Sequence, residues 1–222
     1  MKKQIFLMPV LLLLGSCLTD DDQPSVEDIT NGKKWTLEIG SSPSKVYEQL
    51  QELSIEKDFN SVNITYRKPY SKPEEIQSDI SLYNSITLET TTGVLERVLI
   101  GFDQNRVVSI EKGGAHFENI PSWPQDQPEN VSINVNDPLD IIADKLIALY
   151  QIPNSKSYQI TLPDKCLAKP YDPVMGNYDE WFFTFSKNVS HSKNRRNSVK
   201  LYFKNKKLVK IRNEYAEFTM VD

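Results

Sequence analysis

The chain predicts an α+β fold of two tandem repeats, each a helix packed on an antiparallel β-sheet, and three observations carry that expectation. First, Leu99–Ile110 aligns without a gap on Lys200–Ile211, 101 residues later, and in each copy an apolar strand ends at Phe102 or Phe203 before a polar turn containing Asn. Two apolar strands around such a turn make a β-hairpin, because Asn tolerates the positive φ the turn needs. Second, Val46, Leu50 and Leu53 step by four and three, as do Ile142, Leu146 and Leu149, which is the spacing of one helical face. Third, Lys68-Pro69-Tyr70 matches Lys169-Pro170-Tyr171 at the same offset.

The N-terminus is read first as targeting. Lys2 and Lys3 precede the apolar run Ile5–Leu14, ten residues long, whereas a membrane-spanning helix needs about 20. The stretch Leu14-Gly15-Ser16-Cys17 resembles a bacterial lipobox. That resemblance implies a signal peptide over 1–16, a lipid on the Cys17 thiol and attachment to the outer membrane. Residues 17–34 then form a lipid anchor and acidic tether with Asp20, Asp21 and Asp22. At about 5–6 Å times the square root of its length, such a tether holds the body roughly 20 Å from the lipid. The acidic run resembles the surface-export signal of Bacteroidetes-type lipoproteins; a solvated linker is the competing reading, so cell surface and periplasmic face both stay open.

The first unit, 35–112, opens with a helix capped by Ser42 before Pro43 and continues into strands over 85–90 and 94–101. Residues 113–130, with Pro121, Pro124, Pro128 and Trp123, have the composition of a linker. In the second unit, 131–222, Asp137 before Pro138 is the expected cap, and strands follow over 180–186 and 198–203. Alternation places Val98, Ile100 and Phe102 on one face with Val108 and Ile110, and Val199, Leu201 and Phe203 with Val209 and Ile211. These faces are expected under the helices, with Lys45 and Gln49 exposed on the first helix.

The capped helices after Ile39-Gly40-Ser41-Ser42-Pro43 and Val135-Asn136-Asp137-Pro138, with the hairpins around Phe102 and Phe203, resemble the β-lactamase-inhibitor-protein-like group and, more remotely, small outer-membrane assembly lipoproteins. The resemblance spans Trp35 to about Tyr215. It implies helices on one face of an antiparallel sheet of about four strands in each unit, the two sheets joining into a concave, protein-docking surface. The chain departs from the inhibitors in lacking intradomain cysteine pairs and any match to their inhibitory loop, so β-lactamase inhibition is not implied.

Removal of residues 1–16 takes Lys2 and Lys3 and no acid, leaving 24 basic against 30 acidic residues, a net charge of −6. Cys17 and Cys166 are then the only cysteines, and a lipid on the first leaves no internal disulfide. No His lies near Cys166 in sequence to act as its base, so it reads as a spectator thiol. The two histidines, His116 and His191, carry no metal or nucleophile spacing. The expectation is therefore a non-enzymatic protein without cofactor or metal.

Binding is the remaining class. Ten Lys and Arg residues and no acid lie between Lys187 and Asn213, and Trp181-Phe182-Phe183-Thr184-Phe185 places Phe182 opposite its aromatic neighbours. The candidate partner face is Phe182, Lys200, Tyr202, Lys204 and Lys210, because rings and cations together favour binding hot spots. Two readings compete with it: the cations as a solvated edge, and the rings as a seam between units. The partner expected is another envelope or extracellular protein. The alternatives are a structural component of outer-membrane assembly acting through helix positions such as Lys45 and Gln49, and a glycan- or peptidoglycan-binding lipoprotein. Nucleic acid does not fit the compartment.

Overall fold

In the computed structural model, which describes residues 24–113, 116–153, 158–190 and 193–219, strand far outweighs helix. Along the chain, β1 (Ser25–Ile29), β2 (Lys33–Lys34) and β3 (Leu37–Glu38) precede α1 (Pro43–Lys57) and β4 (Ser61–Ile64). A meander follows, of β5 (Ser85–Thr90), β6 (Arg97–Asp103), β7 (Arg106–Gly113) and β8 (Phe117–Asn119). The pair β9 (Ser122–Trp123) and β10 (Ile133–Asn134) leads into α2 (Ile142–Tyr150), then β11 (Tyr158–Thr161) and β12 (Lys165–Cys166). The chain closes on three long strands, β13 (Glu180–Asn188), β14 (Lys193–Lys204) and β15 (Lys207–Thr219). They form a six-stranded sheet, β1-β15-β14-β13-β4-β12, a five-stranded sheet, β11-β5-β6-β7-β8, and two small pairs, β10-β9 and β2-β3.

This corrects the expected α+β pair of repeats. The protein is mostly β: among the described residues, α-helices of 15 and 9 residues stand against several sheets. Neither helix packs on the meander that follows it. Val46, Tyr47, Leu50 and Leu53 of α1 share a buried cluster with Trp181, Phe183, Val199, Leu201 and Ile211 of β13–β15. Ile142, Leu146 and Leu149 of α2 share the other cluster with Ile86, Leu88, Val98, Ile100 and Ile110 of β5–β7.

Backbone hydrogen bonds fix this exchange at both ends. Gly40 donates to the Leu208 carbonyl at 2.7 Å and Leu208 donates to Ser41 at 2.9 Å; likewise Asn136 donates to Val107 at 2.8 Å and Val107 to Asp137 at 2.9 Å. The loop before each helix is thus tied to the hairpin of the other half. Gly40 and Asn136 make the turn at φ 92° and 76°, where Gly and Asn carry the smallest steric cost. At the end of the six-stranded sheet Val62 pairs with Lys165, and in the segment between β4 and β5 Tyr70 exchanges backbone hydrogen bonds of 2.8 Å each way with Ile160 of the five-stranded sheet.

The two hairpins share one local geometry. Gln104 and Asn105, and Asn205 and Lys206, all have positive φ, so both turns belong to the primed two-residue class that matches strand twist. Each pairing shifts register next to the turn, at Gly101/Phe102 and at Tyr202/Phe203. Such a bulge adds a residue to one strand and resets its alternation. Val107 and Leu208 are therefore the buried residues, and Val108 and Val209, expected inside, face solvent.

Ser42 accepts from the Lys45 N–H at 3.3 Å and caps α1, which ends where Asp58 turns left-handed at φ 55°. Gln49 is buried, not exposed as alternation around the helix suggested: its side-chain oxygen accepts from the Glu38 N–H at 3.3 Å, which ties α1 to β3. Asp137 does not cap α2. Its carboxylate accepts from the Asn134 N–H and from Lys145, both at 2.7 Å, and a short 3₁₀ turn at Leu139–Ile141 starts the helix instead. The Pro-rich stretch 113–130 contributes β8 and β9 and buries Ile120 and Trp123. Within 17–34, Ser25–Ile29 is paired along β15 from Tyr215 to Ile211.

Candidate functional site

Strand alternation across the six-stranded sheet sends Trp181, Phe183 and Phe185 inward. Trp181 packs 4.6 Å from Phe203, Phe59 stacks 4.7 Å from Phe183, and the Trp181 indole N–H donates to the Met175 carbonyl at 3.2 Å. The opposite face carries the predicted residues in two adjacent rows. Phe182 lies beside Lys200, Lys200 beside Arg212 and Arg212 beside Asp28, while Tyr202 lies between Glu180 and Lys210. Phe182, Lys200, Tyr202 and Lys210 are half-buried on this face and Lys204 is exposed at its turn.

The Lys210 ammonium sits 4.2 Å from the centre of the Tyr202 ring, so that cation and ring form one unit. Other cations of the basic segment meet acids from outside it: Arg195 pairs with Glu217 at 2.6 Å, and Arg212 with Glu214 at 2.8 Å and Asp28 at 3.9 Å. Among the described residues, Lys200 and Lys204 have no carboxylate within ion-pair distance. Next to Phe182, where β4 diverges from β13, opens a cavity of about 370 Å³ walled by Asp58, Asn60, Ser61, Asp164, Phe182 and Thr184.

A second polar constellation lies between the two cores and was not singled out from sequence. Arg67 donates to the Asp172 carboxylate at 3.0 Å and to the Tyr70 hydroxyl at 3.0 Å. The Tyr83 hydroxyl bridges Arg67 and Asp172. Lys165, fully buried, donates to the Leu82 carbonyl at 2.6 Å and lies 5.1 Å from the Tyr83 ring centre. Burial pushes the Lys165 ammonium down to about 8, against the pull of Asp172. Burial pushes the Tyr83 and Tyr47 phenols up. Asp172 and Lys165 have no exposed surface, and the cluster fastens the two cores. One signal could have marked it: Arg67 precedes Lys68-Pro69-Tyr70 and Asp172 follows Lys169-Pro170-Tyr171, opposite charges flanking the matched triplets.

Cys17 and His191 lie outside the described residues. Cys166 is half-buried and free, its carbonyl accepting from the Tyr47 hydroxyl at 2.9 Å. Among the described residues no three His, Cys, Asp or Glu side chains converge as metal ligands, and no helix is long and apolar enough to cross a membrane. No family model, no curated protein and no solved structure matches the chain.

Proposed function

We propose that this is a lipid-anchored, non-enzymatic envelope protein, held to the outer membrane through Cys17, that docks another envelope or extracellular protein on the outward face of its six-stranded sheet. The observation that carries the reading is the meeting of Phe182, Lys200, Tyr202 and Lys210 on one face, with Lys200 free of any carboxylate among the described residues. Rings held by a sheet lose little entropy on contact, and a cation without a partner gains one.

The test is in-cell crosslinking with mass spectrometry on the lipidated protein, comparing wild type with Lys200→Ala/Tyr202→Ala/Lys204→Ala. These side chains lie on the outward face and at a turn, so the fold, checked by circular dichroism, is expected to persist. A protein partner is captured by wild type and lost from the variant. Equal capture by both would reject this face.

A further inference from the structure

Beside the candidate face, β13 leaves most of one backbone edge unpaired among the described residues. Of its nine residues only Trp181 and Phe182 pair with β4, opposite Ile64 and Asn63. The direction of the remaining groups follows from one bond: the Glu180 carbonyl accepts from the Thr65 N–H at 3.0 Å, on the side where β4 lies. Alternate residues of a strand turn both backbone groups to the same neighbour. Thr184, Ser186 and Asn188 therefore aim N–H and C=O at an edge where no strand pairs among the described residues. Proteins usually guard such an edge with several charges or a bulge, yet Phe183–Asn188 carries Lys187 alone.

The cavity of about 370 Å³ opens at the start of this free stretch, beyond the Phe182–Asn63 pair at which the β13–β4 ladder stops. Its lining includes Asp58 and Asp164 and no Lys or Arg. Asp164 accepts one hydrogen bond, from the Asn63 amide at 2.7 Å. A strand seated on β13 would thus pass one side chain by two aspartates that make no ion pair among the described residues.

We infer that the free edge of β13 is a β-augmentation site for an extended peptide strand carrying a Lys or Arg, whose cation enters the Asp58/Asp164 cavity. Backbone pairing with Thr184, Ser186 and Asn188 supplies affinity and the carboxylates supply selection. This goes beyond the docking face proposed above, because it uses the strand edge and needs neither Lys200, Tyr202 nor Lys204.

The probe is an acetylated, amidated seven-residue peptide of alternating Thr and Val with one central Lys, added to the full-length protein in detergent micelles. Binding is followed by fluorescence anisotropy and by residue-resolved deuterium exchange. The peptide is expected to slow exchange at the amides of Thr184, Ser186 and Asn188. Replacing its Lys by Glu, or changing the protein to Asp58→Asn/Asp164→Asn, weakens binding at least tenfold, and Asn keeps both the left-handed cap at 58 and the acceptor for Asn63. The Lys200→Ala/Tyr202→Ala/Lys204→Ala variant binds it as wild type does, which separates this site from the docking face. Absent protection at these three amides, or equal binding by the Asp58→Asn/Asp164→Asn variant, overturns the inference.

Discussion

Arg67 and Asp172, 105 residues apart in the chain, meet at 3.0 Å in an interior that leaves the carboxylate no exposed surface. Arg67 comes from the segment that links β4 of one core to the meander of the other, whereas Asp172 lies between β12 and β13 of the six-stranded sheet. Removing one member of a buried ion pair strands its partner's charge and costs about 3–5 kcal/mol, more than an exposed pair is worth. Asp172→Ala is therefore expected to lower stability to urea by that amount. Tyr83→Phe, which deletes the hydroxyl shared by both, should cost about 1–3 kcal/mol. A loss below about 1 kcal/mol in Asp172→Ala would mean that the junction is not a fastener.

Lys165 makes the same junction sensitive to pH. Its ammonium is held near 8 in the folded chain against an ordinary 10.5. Between these values the unfolded chain binds more protons, so stability rises with pH, by up to about 3 kcal/mol over the whole window. The raised phenols of Tyr47 and Tyr83 act oppositely above pH 10, where the unfolded chain loses protons that the folded chain keeps. Urea midpoints at pH 8 and about 9.5 should thus increase in wild type and stay level in Lys165→Met. A parallel rise in both proteins would assign the effect to other groups.

Glu96 supplies a contrasting acid-side dependence. Partial burial opposes its charge, but it accepts from the Tyr158 hydroxyl at 2.8 Å and the Trp123 indole at 3.2 Å and pairs with Lys112 at 3.3 Å, which leaves its carboxyl below the usual 4.5. The stability it contributes is present above that ordinary value and is lost as pH falls through the lowered one. The gap in melting temperature between wild type and Glu96→Ala should accordingly be wide at pH 7 and close in acid. A gap independent of pH would leave only the packing of Trp123 on Tyr158.

The primed turns are open to improvement. Lys206, at φ 55°, is an L-residue in a conformation that costs roughly 1–2 kcal/mol without glycine's freedom. Asn205 followed by Gly is the preferred pair for such a turn. Lys206→Gly should therefore raise the melting temperature by a few degrees, and an unchanged or lower value would show that Lys206 makes compensating contacts.

Cutting the chain between Gln125 and Asp126, both exposed, tests the exchange of helices. Separate fragments leave α1 without β13–β15 and α2 without β5–β7. Neither should show cooperative unfolding alone, while an equimolar mixture should. Two independently melting fragments would mean that each helix can be satisfied by its own half.

What the residues announce by themselves is local. The hairpin at Asn105 and its match at Asn205, the capped face of α1 and the inward set of Trp181, Phe183 and Phe185 all follow from nearest-neighbour chemistry. The partner of each helix does not, because Val46, Leu50 and Leu53 carry the same apolar face whichever sheet receives it. Val108 was misplaced for a related reason: alternation is blind to a bulge, which depends on both strands at once. Arg67 and Asp172 read as surface charges until the packing of two distant segments closes over them. The same holds for the candidate face, where Phe182 and Tyr202 could be placed by period two, but the carboxylates that meet Arg195 and Arg212 come from outside the basic segment.

The exchange also sets a clock. Helix α1 is made early in synthesis, whereas β13–β15, which bury Val46, Leu50 and Leu53, are made last among the described strands. At roughly 5–20 residues per second, the apolar side of α1 waits on the order of ten seconds for its sheet. During that interval only neighbours in sequence, such as Leu37, Val62 and Ile64, are present to cover the helix. Assembly of this core waits for β15, and the Gly40–Leu208 bond joins two residues 168 positions apart in the chain.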